Sequence, residues 1–268
     1  MLVSILIVTY NSEKFIKKTL MSCINQDYKN KEILILDNNS RDSTKKILKE
    51  YSKKNKFIKV FYNNKNLGPY AGLNYLIKKS HGGFIAIQDH DDIWLPTKIT
   101  KQIKFLLKHP NYVGVGTNAY TYFEKNEIFL AKDRSGITNC VVHTSLLFRN
   151  IKVMYKIEEA LTDEYFQKQI LSRMGKIYCL KEFLTIRRIR GDGKNLSSSR
   201  FRLTFDKIRS FYRTNGLNLS SIIYLTEILI SPHIPAKLPW FVKKYQTLKG
   251  GRWITLQKFT DKHRALDL

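Results

Sequence analysis

Ile85-Ala86-Ile87-Gln88-Asp89-His90-Asp91-Asp92 reads as a buried β-strand that stops abruptly in three carboxylates within four residues. Clustered negative charge does nothing for the stability of such a strand. Like charges this close repel, and taking them out of water costs more again. A bound divalent cation with a phosphate-bearing ligand on its far side resolves the conflict, because Mg²⁺ is usually held by one or two carboxylates plus substrate phosphates. The plainer reading is a solvated acidic turn in which Asp92 caps the next helix.

Working outward, the same pattern recurs upstream. Val3–Val8 is an apolar strand run, and Thr9-Tyr10-Asn11-Ser12 is a polar turn able to cap a helix beginning near Glu13, with Ile16, Leu20, Cys23 and Ile24 on one face. Glu32–Leu36 is a second strand ending at Asp37-Asn38-Asn39-Ser40, followed by a helix opened by Asp42 and Ser43. Phe57–Phe61 is a third strand, and Asn66-Leu67-Gly68-Pro69 turns into a helix through about Lys79. Strands alternating with helices predict a doubly wound, mostly parallel α/β sheet. Polar clusters follow the strand ends at Thr9–Asn11, Asp37–Ser40 and Asp89–Asp92, the edge where open α/β sheets bind ligands. The first turn has no Gly-rich phosphate loop, which argues against a dinucleotide dehydrogenase, an ATPase or a nucleotidyltransferase.

Downstream, a helix runs from beyond Pro96 to about Lys108, and Tyr112–Val115 is a strand. Tyr120–Phe123 and Ile128–Ala131 form a hairpin around Lys125-Asn126, Asp163–Met174 is helical, and Ile177–Leu180 and Phe183–Ile189 are two short strands. Helical stretches are expected near 201–213 and 218–231.

Of 268 residues, 47 are Lys or Arg and 22 Asp or Glu, a net charge of +25. The excess is uneven: residues 1–186 carry 30 basic against 17 acidic side chains, residues 187–268 carry 17 against 5. A basic tail of this kind suits an anionic partner. A nucleic-acid binder would use the charge but leave the acidic cluster unexplained, so no nucleic acid is expected. Cys23, Cys140 and Cys179 have no paired spacing, against a disulfide framework or zinc site and in favour of a reducing compartment. No signal segment and no membrane-spanning run is read, which predicts a cytoplasmic protein, peripheral at most on the membrane's cytoplasmic face. Residues 232–245 combine spaced prolines, Trp240, Phe241, Tyr245 and a local excess of Lys. That composition suits an anionic membrane surface.

Taken together, Val3–Asn11, Gln26-Asp27-Tyr28, Glu32–Thr44, Asn66-Leu67-Gly68 with Asn74 and Gly83, and Asp89-His90-Asp91-Asp92-Ile93-Trp94-Leu95-Pro96 resemble the family-2 glycosyltransferases of GT-A fold, in the family's order and spacing. The resemblance covers residues 1–197 as a GT-A domain and leaves 198–268 as a mainly helical, basic extension. It implies inverting transfer of a sugar from a nucleotide-sugar donor to a glycan or lipid-linked acceptor, in polysaccharide or glycoconjugate synthesis, assisted by a divalent cation, Mg²⁺ or Mn²⁺. It places Thr9, Tyr10, Asn11, Asp37 and Asn38 at the nucleotide, Asp89 at ribose, donor sugar or metal, and Asp91 as principal metal ligand. Trp94 is a core residue or a ligand-stacking one. The general base is implied in Thr162-Asp163-Glu164, where register with Gly175 favours Glu164 over Asp163. Where the family carries a metal-ligating His, counting forward gives Arg190, a partner for the diphosphate, and counting back gives Asp192, a third carboxylate.

Overall fold

Val3–Thr9 (β1) and Lys31–Asp37 (β2) are buried along their whole length, as expected of strands covered on both faces. The computed structural model describes residues 1–157, 161–192, 205–217, 247 and 250–263. In it, Ile58–Tyr62 (β3), β2, β1 and Phe84–Asp89 (β4) lie side by side, all parallel. Val3, Ile5 and Ile7 point to one face, where they meet Ile16, Leu20 and Cys23 of α1 (Ile16–Ile24), Leu48 of α2 (Thr44–Lys54) and Ile99, Ile103 and Leu106 of α4 (Lys98–Lys108). Leu6 and Val8 point to the other face, against Leu73, Leu76 and Ile77 of α3 (Pro69–Lys79). This is the doubly wound arrangement read from the alternation. Helix α1 begins at Ile16 rather than near Glu13, because the backbone N–H groups of Phe15 and Ile16 are taken up by a turn on Ser12 O.

Past β4 the sheet turns mixed. Ile93–Trp94 (β5) follows the acidic turn, and Tyr112–Phe123 (β6) is a long strand that forms the predicted hairpin with Ile128–Lys132 (β7). Gly136–Thr138 (β8) and Leu147–Arg149 (β9) are short, and β9 lies antiparallel between β4 and β6. Lys176–Ile189 (β10) runs parallel to β6 as one strand, not two. The exposed Lys181-Glu182 pair that interrupts its apolar pattern marks a register shift between Leu180 and Phe183. Residues 162–173 are likewise not one α-helix. A single α turn, Thr162–Tyr165 (α5), passes into a π segment (Phe166–Ile170) and a 3₁₀ turn (Leu171–Arg173). Wide π turns of this kind are frequent at functional sites.

The described parts of the basic extension are built onto the sheet and the segment around Lys168. Phe205–Asn215 (α6) buries Phe211, and its Asn215 Oδ1 accepts from Lys168 Nζ at 2.7 Å. Gly251–Thr255 (β11) adds antiparallel to β7, and Leu256–Lys262 (α7), capped by Thr255, lays Phe259 on Phe129. The stretch 232–245 and the helix expected at 218–231 lie outside the described residues. Among the described residues no helix is long and apolar enough to cross a membrane, and Cys23, Cys140 and Cys179 are free thiols.

Candidate active site

Strand register builds the site. Thr9 stands opposite Asp37, and Val8 opposite Asp89, so the C-terminal ends of β1, β2 and β4 bring Thr9, Asp37 and Asp89 to one sheet edge. The turn after β1 is tied to the turn after β2. Asn11 N donates to Ser40 Oγ (2.9 Å), Asn11 Oδ1 accepts from Arg41 N (2.9 Å), and Ser12 N donates to Thr44 Oγ1 (2.9 Å). Asn11 and Asn39 adopt left-handed backbone (φ 46° and 69°), which Asn tolerates better than most residues. Thr9 Oγ1 and Ser12 Oγ share a hydrogen bond, and Tyr10 stays exposed at the rim.

Asp37 is fully buried. Its Oδ2 accepts from Ser40 N (3.1 Å), while its Oδ1 has no hydrogen-bond partner among the described residues. A buried, unsatisfied carboxylate oxygen is costly and needs a donor from elsewhere. Asn38 is saturated: its amide donates to Asn66 Oδ1 and Gly68 O and accepts from Asn63 Nδ2 and Leu67 N. It holds the 63–68 loop against the end of β2.

In the acidic turn the three carboxylates have separate environments. Partial burial pushes the Asp89 carboxyl up, but the hydrogen bond from His143, with His90 and Arg187, outweighs it and holds it below its ordinary value. Burial and then the Asp89 charge push Asp91 up, against His90 and Arg190. Asp92 is buried and raised furthest, by burial and by the charges of Asp91 and Asp89. It does not cap the next helix, whose N-cap is Thr97. Its Oδ1 instead accepts from Arg188 N at 2.7 Å, tying the turn to β10. Trp94 is a core residue, with Nε1 donating to Thr144 O (2.8 Å) and Lys98 Nζ 3.8 Å from the ring centroid.

Two carboxylates on one turn, Asp91 destabilised by its neighbour's charge, fit an oxygen-seeking cation completed by phosphate oxygens. Among the described residues no three His, Cys, Asp or Glu side chains converge into a closed metal cage.

At the end of β10, Arg188 lies between the rings of Phe15 and Tyr122 (5.2 and 5.3 Å) and donates to Asp91 O and Glu124 Oε1. Arg190 and Asp192 are ion-paired to each other (2.7 Å), with Arg190 over Phe15. The two candidates for one position thus stand together beside the acidic turn.

On the other side, a chain of contacts leads from Asp89 to His143 (3.4 Å) and from His143 to the Tyr155 hydroxyl (3.0 Å). Tyr70 stacks on Tyr155 and its hydroxyl donates to Asp163 Oδ1 (3.3 Å). Glu164 is held instead by Lys168 (3.1 Å), next to α6. His143, Tyr155 and Tyr70 have no sequence signal, since only the fold gathers them. Arg188 had one: it shares strand parity with buried Leu184 and Ile186.

Residues 4–173 match the Glycosyl transferase family 2 profile. An uncharacterized glycosyltransferase of Haemophilus influenzae is 33% identical over 129 residues, 48% of this chain and 52% of that protein. The Escherichia coli UDP-Glc:alpha-D-GlcNAc-diphosphoundecaprenol beta-1,3-glucosyltransferase WfgD is 37% identical over 127 residues, 47% and 49% of the two chains. The chain thus spans about half the length of these curated relatives. Among solved structures, S. aureus TarS 1-349 in complex with UDP superposes with TM-score 0.60 at 18% identity, over 87% of this chain and 71% of that one. The mannosyltransferase PcManGT of Pyrobaculum calidifontis, in complex with GDP-Man and Mn²⁺, does so with TM-score 0.60 at 14% identity, over 92% and 73%. These likenesses establish the GT-A fold, and with a family match over most of the sheet and its acidic edge, the chain belongs to glycosyl transferase family 2.

Proposed function

We propose that the domain transfers a sugar from a nucleotide-sugar donor to a hydroxyl of a glycan or lipid-linked acceptor, with inversion at the anomeric carbon, in the synthesis of a surface polysaccharide or glycoconjugate. The observation that carries this reading is the shared edge: Asp37, with one buried oxygen lacking a partner, beside Thr9, and the Asp89/Asp91 pair two strands away. Asp37 Oδ1 takes a hydrogen from base or ribose, and exposed Tyr10 covers the base. Asp89 orients ribose or donor sugar. With Asp91 it holds a divalent cation, which when bound offsets the charge developing on the leaving diphosphate. Arg190 or Asp192, once their ion pair opens, engages the diphosphate or completes the ligand set.

The acceptor proton needs a carboxylate within hydrogen-bond reach. Of the two candidates, Asp163 has the better claim. It joins the cluster that reaches Asp89, whereas the Glu164 carboxylate is occupied by an ion pair with Lys168. WfgD, by its name, uses a diphosphoundecaprenol acceptor, which supports a membrane-associated acceptor and an anionic membrane surface as partner here.

Thermal denaturation with UDP-glucose, UDP-GlcNAc, GDP-mannose and their dTDP and CMP counterparts, with and without Mn²⁺, tests the reading. At a ligand concentration of 100 Kd the gain is about 2.7 kcal/mol, or about 5–10 °C. One nucleotide series should protect, and only with metal. Absence of protection by every donor at millimolar concentration overturns the proposal.

A further inference from the structure

His143 bridges Asp89 and Tyr155 in an arrangement that neither the acidic motif nor the family match accounts for. It sits in a 3₁₀ turn, His143–Ser145, that leads into β9, and its side chain is 11% exposed. Nδ1 faces Asp89 Oδ1 at 3.4 Å, and Nε2 faces the Tyr155 hydroxyl at 3.0 Å. A carboxylate only accepts, so in the neutral ring Nδ1 carries the proton and Nε2 accepts from Tyr155. Tyr155 is itself fixed. It is 3% exposed and stacked on Phe166 (4.0 Å) and Tyr70 (5.5 Å), and its backbone is clamped to α3 by two hydrogen bonds with Asn74 (2.7 and 2.9 Å). Asp89, by contrast, has its side chain 45% exposed at the end of its strand, with several rotamers open to it unless something holds one.

We propose that His143 and Tyr155 are positioning residues for donor binding: the Tyr155 hydroxyl fixes the His143 tautomer, and His143 Nδ1–H fixes the rotamer of Asp89. The arrangement rests on the donor-site reading above and extends it to residues outside the acidic turn. Without the hydroxyl, the opposite tautomer becomes available. It would aim a nitrogen lone pair at the Asp89 carboxylate and push it away.

Isosteric variants separate this from a packing role. Asn places its amide nitrogen where Nδ1 lies, and Gln places its own where Nε2 lies. With the donor selected by the protection screen and Mn²⁺, calorimetric titration should show His143→Ala and His143→Gln weakened by about 10–100-fold, the range for lost supporting contacts, with His143→Asn within about threefold of the parent. Tyr155→Phe, which keeps both stacks, should fall between them. His143→Asn as weak as His143→Ala, or Tyr155→Phe indistinguishable from the parent, overturns the proposal. Should His143→Ala fail to fold, Tyr155→Phe and the Asn/Gln pair still decide it. Asp89→Ala is the control. If it binds donor like the parent, the donor-site reading itself fails. If it weakens binding while all His143 variants bind normally, only the positioning role fails. A parent that binds no donor removes both.

Discussion

Phe259→Ala asks whether the end of the described chain belongs to the catalytic unit. Phe259 is 1% exposed, its ring stacked on Phe129 at 3.9 Å between centroids and 11° between planes, with its edge toward Tyr120 at 4.9 Å. Truncating a buried Phe to Ala costs about 3–5 kcal/mol, which includes the lost transfer term and the cavity left between β7 and α7. The stacked and edge-on pairs account for about 0.5–1.5 kcal/mol each beyond buried area, placing this residue toward the upper end of that range. At roughly 2–4 °C per kcal/mol for a domain of this size class, the melting temperature should fall by about 6–20 °C. Circular dichroism on heating measures it, with Phe259→Leu as a control that keeps most of the volume and should lose far less. A change below about 2 °C for Phe259→Ala would show that α7 and β11 unfold independently of the sheet, and the account of the extension given above would fall. By the same reasoning, a chain ending near Thr214 leaves Phe129 and Tyr120 uncovered and should be poorly soluble.

Asp91→Asn should abolish transfer, by at least about 100-fold in kcat/KM, while leaving the melting temperature unchanged or higher, because it removes a half-buried charge beside Asp89. Asp163→Asn should lower kcat by about 10²–10⁴-fold with donor affinity retained, and Glu164→Gln should cost far less. The reverse ranking in steady-state kinetics would return the base to Glu164. Lys98 is fully buried against Trp94 and Gln102, and burial holds its ammonium well below its ordinary value of 10.5. Between that lowered value and 10.5 the folded chain carries one proton fewer than the unfolded chain. Stability should therefore rise with pH across the window, by up to about 1.4 kcal/mol per unit, and Lys98→Met should flatten the slope in urea titrations run at several pH values.

Much of the parallel half of the sheet was legible in the sequence because β1, β2 and β4 are covered on both faces and read as largely apolar runs. The antiparallel half was less so. Lys181-Glu182 looks like a turn, and only pairing with β6 shows that the chain continues through it as one strand. Arg252-Trp253-Ile254-Thr255 has no local partner, so nothing nearby marks it as a strand. At the site, the gathering of Thr9, Asp37 and Asp89 on one edge follows from strand ends and could be read directly. Asp92 could not, since its carboxylate is satisfied by a backbone N–H from a distant strand rather than by the next helix. Polar contacts between residues far apart, such as His143 with Asp89 and Tyr70 with Asp163, leave no periodicity for a sequence reading to detect.

The pairing of β11 with β7 also sets an order of events in synthesis. Leu130 waits for Trp253, about 120 positions later, before its strand has an outer neighbour. Until then β7 presents unpaired N–H and C=O groups and the uncovered ring of Phe129, the combination that invites strand addition from another chain. Closing so long a loop is slow compared with forming the β6–β7 hairpin. The nascent protein should therefore pass through a state in which the edge carrying Thr9, Asp37 and Asp89 is already assembled while the far flank of the sheet is open, and chaperone dependence and aggregation during expression should trace to that flank rather than to the parallel half.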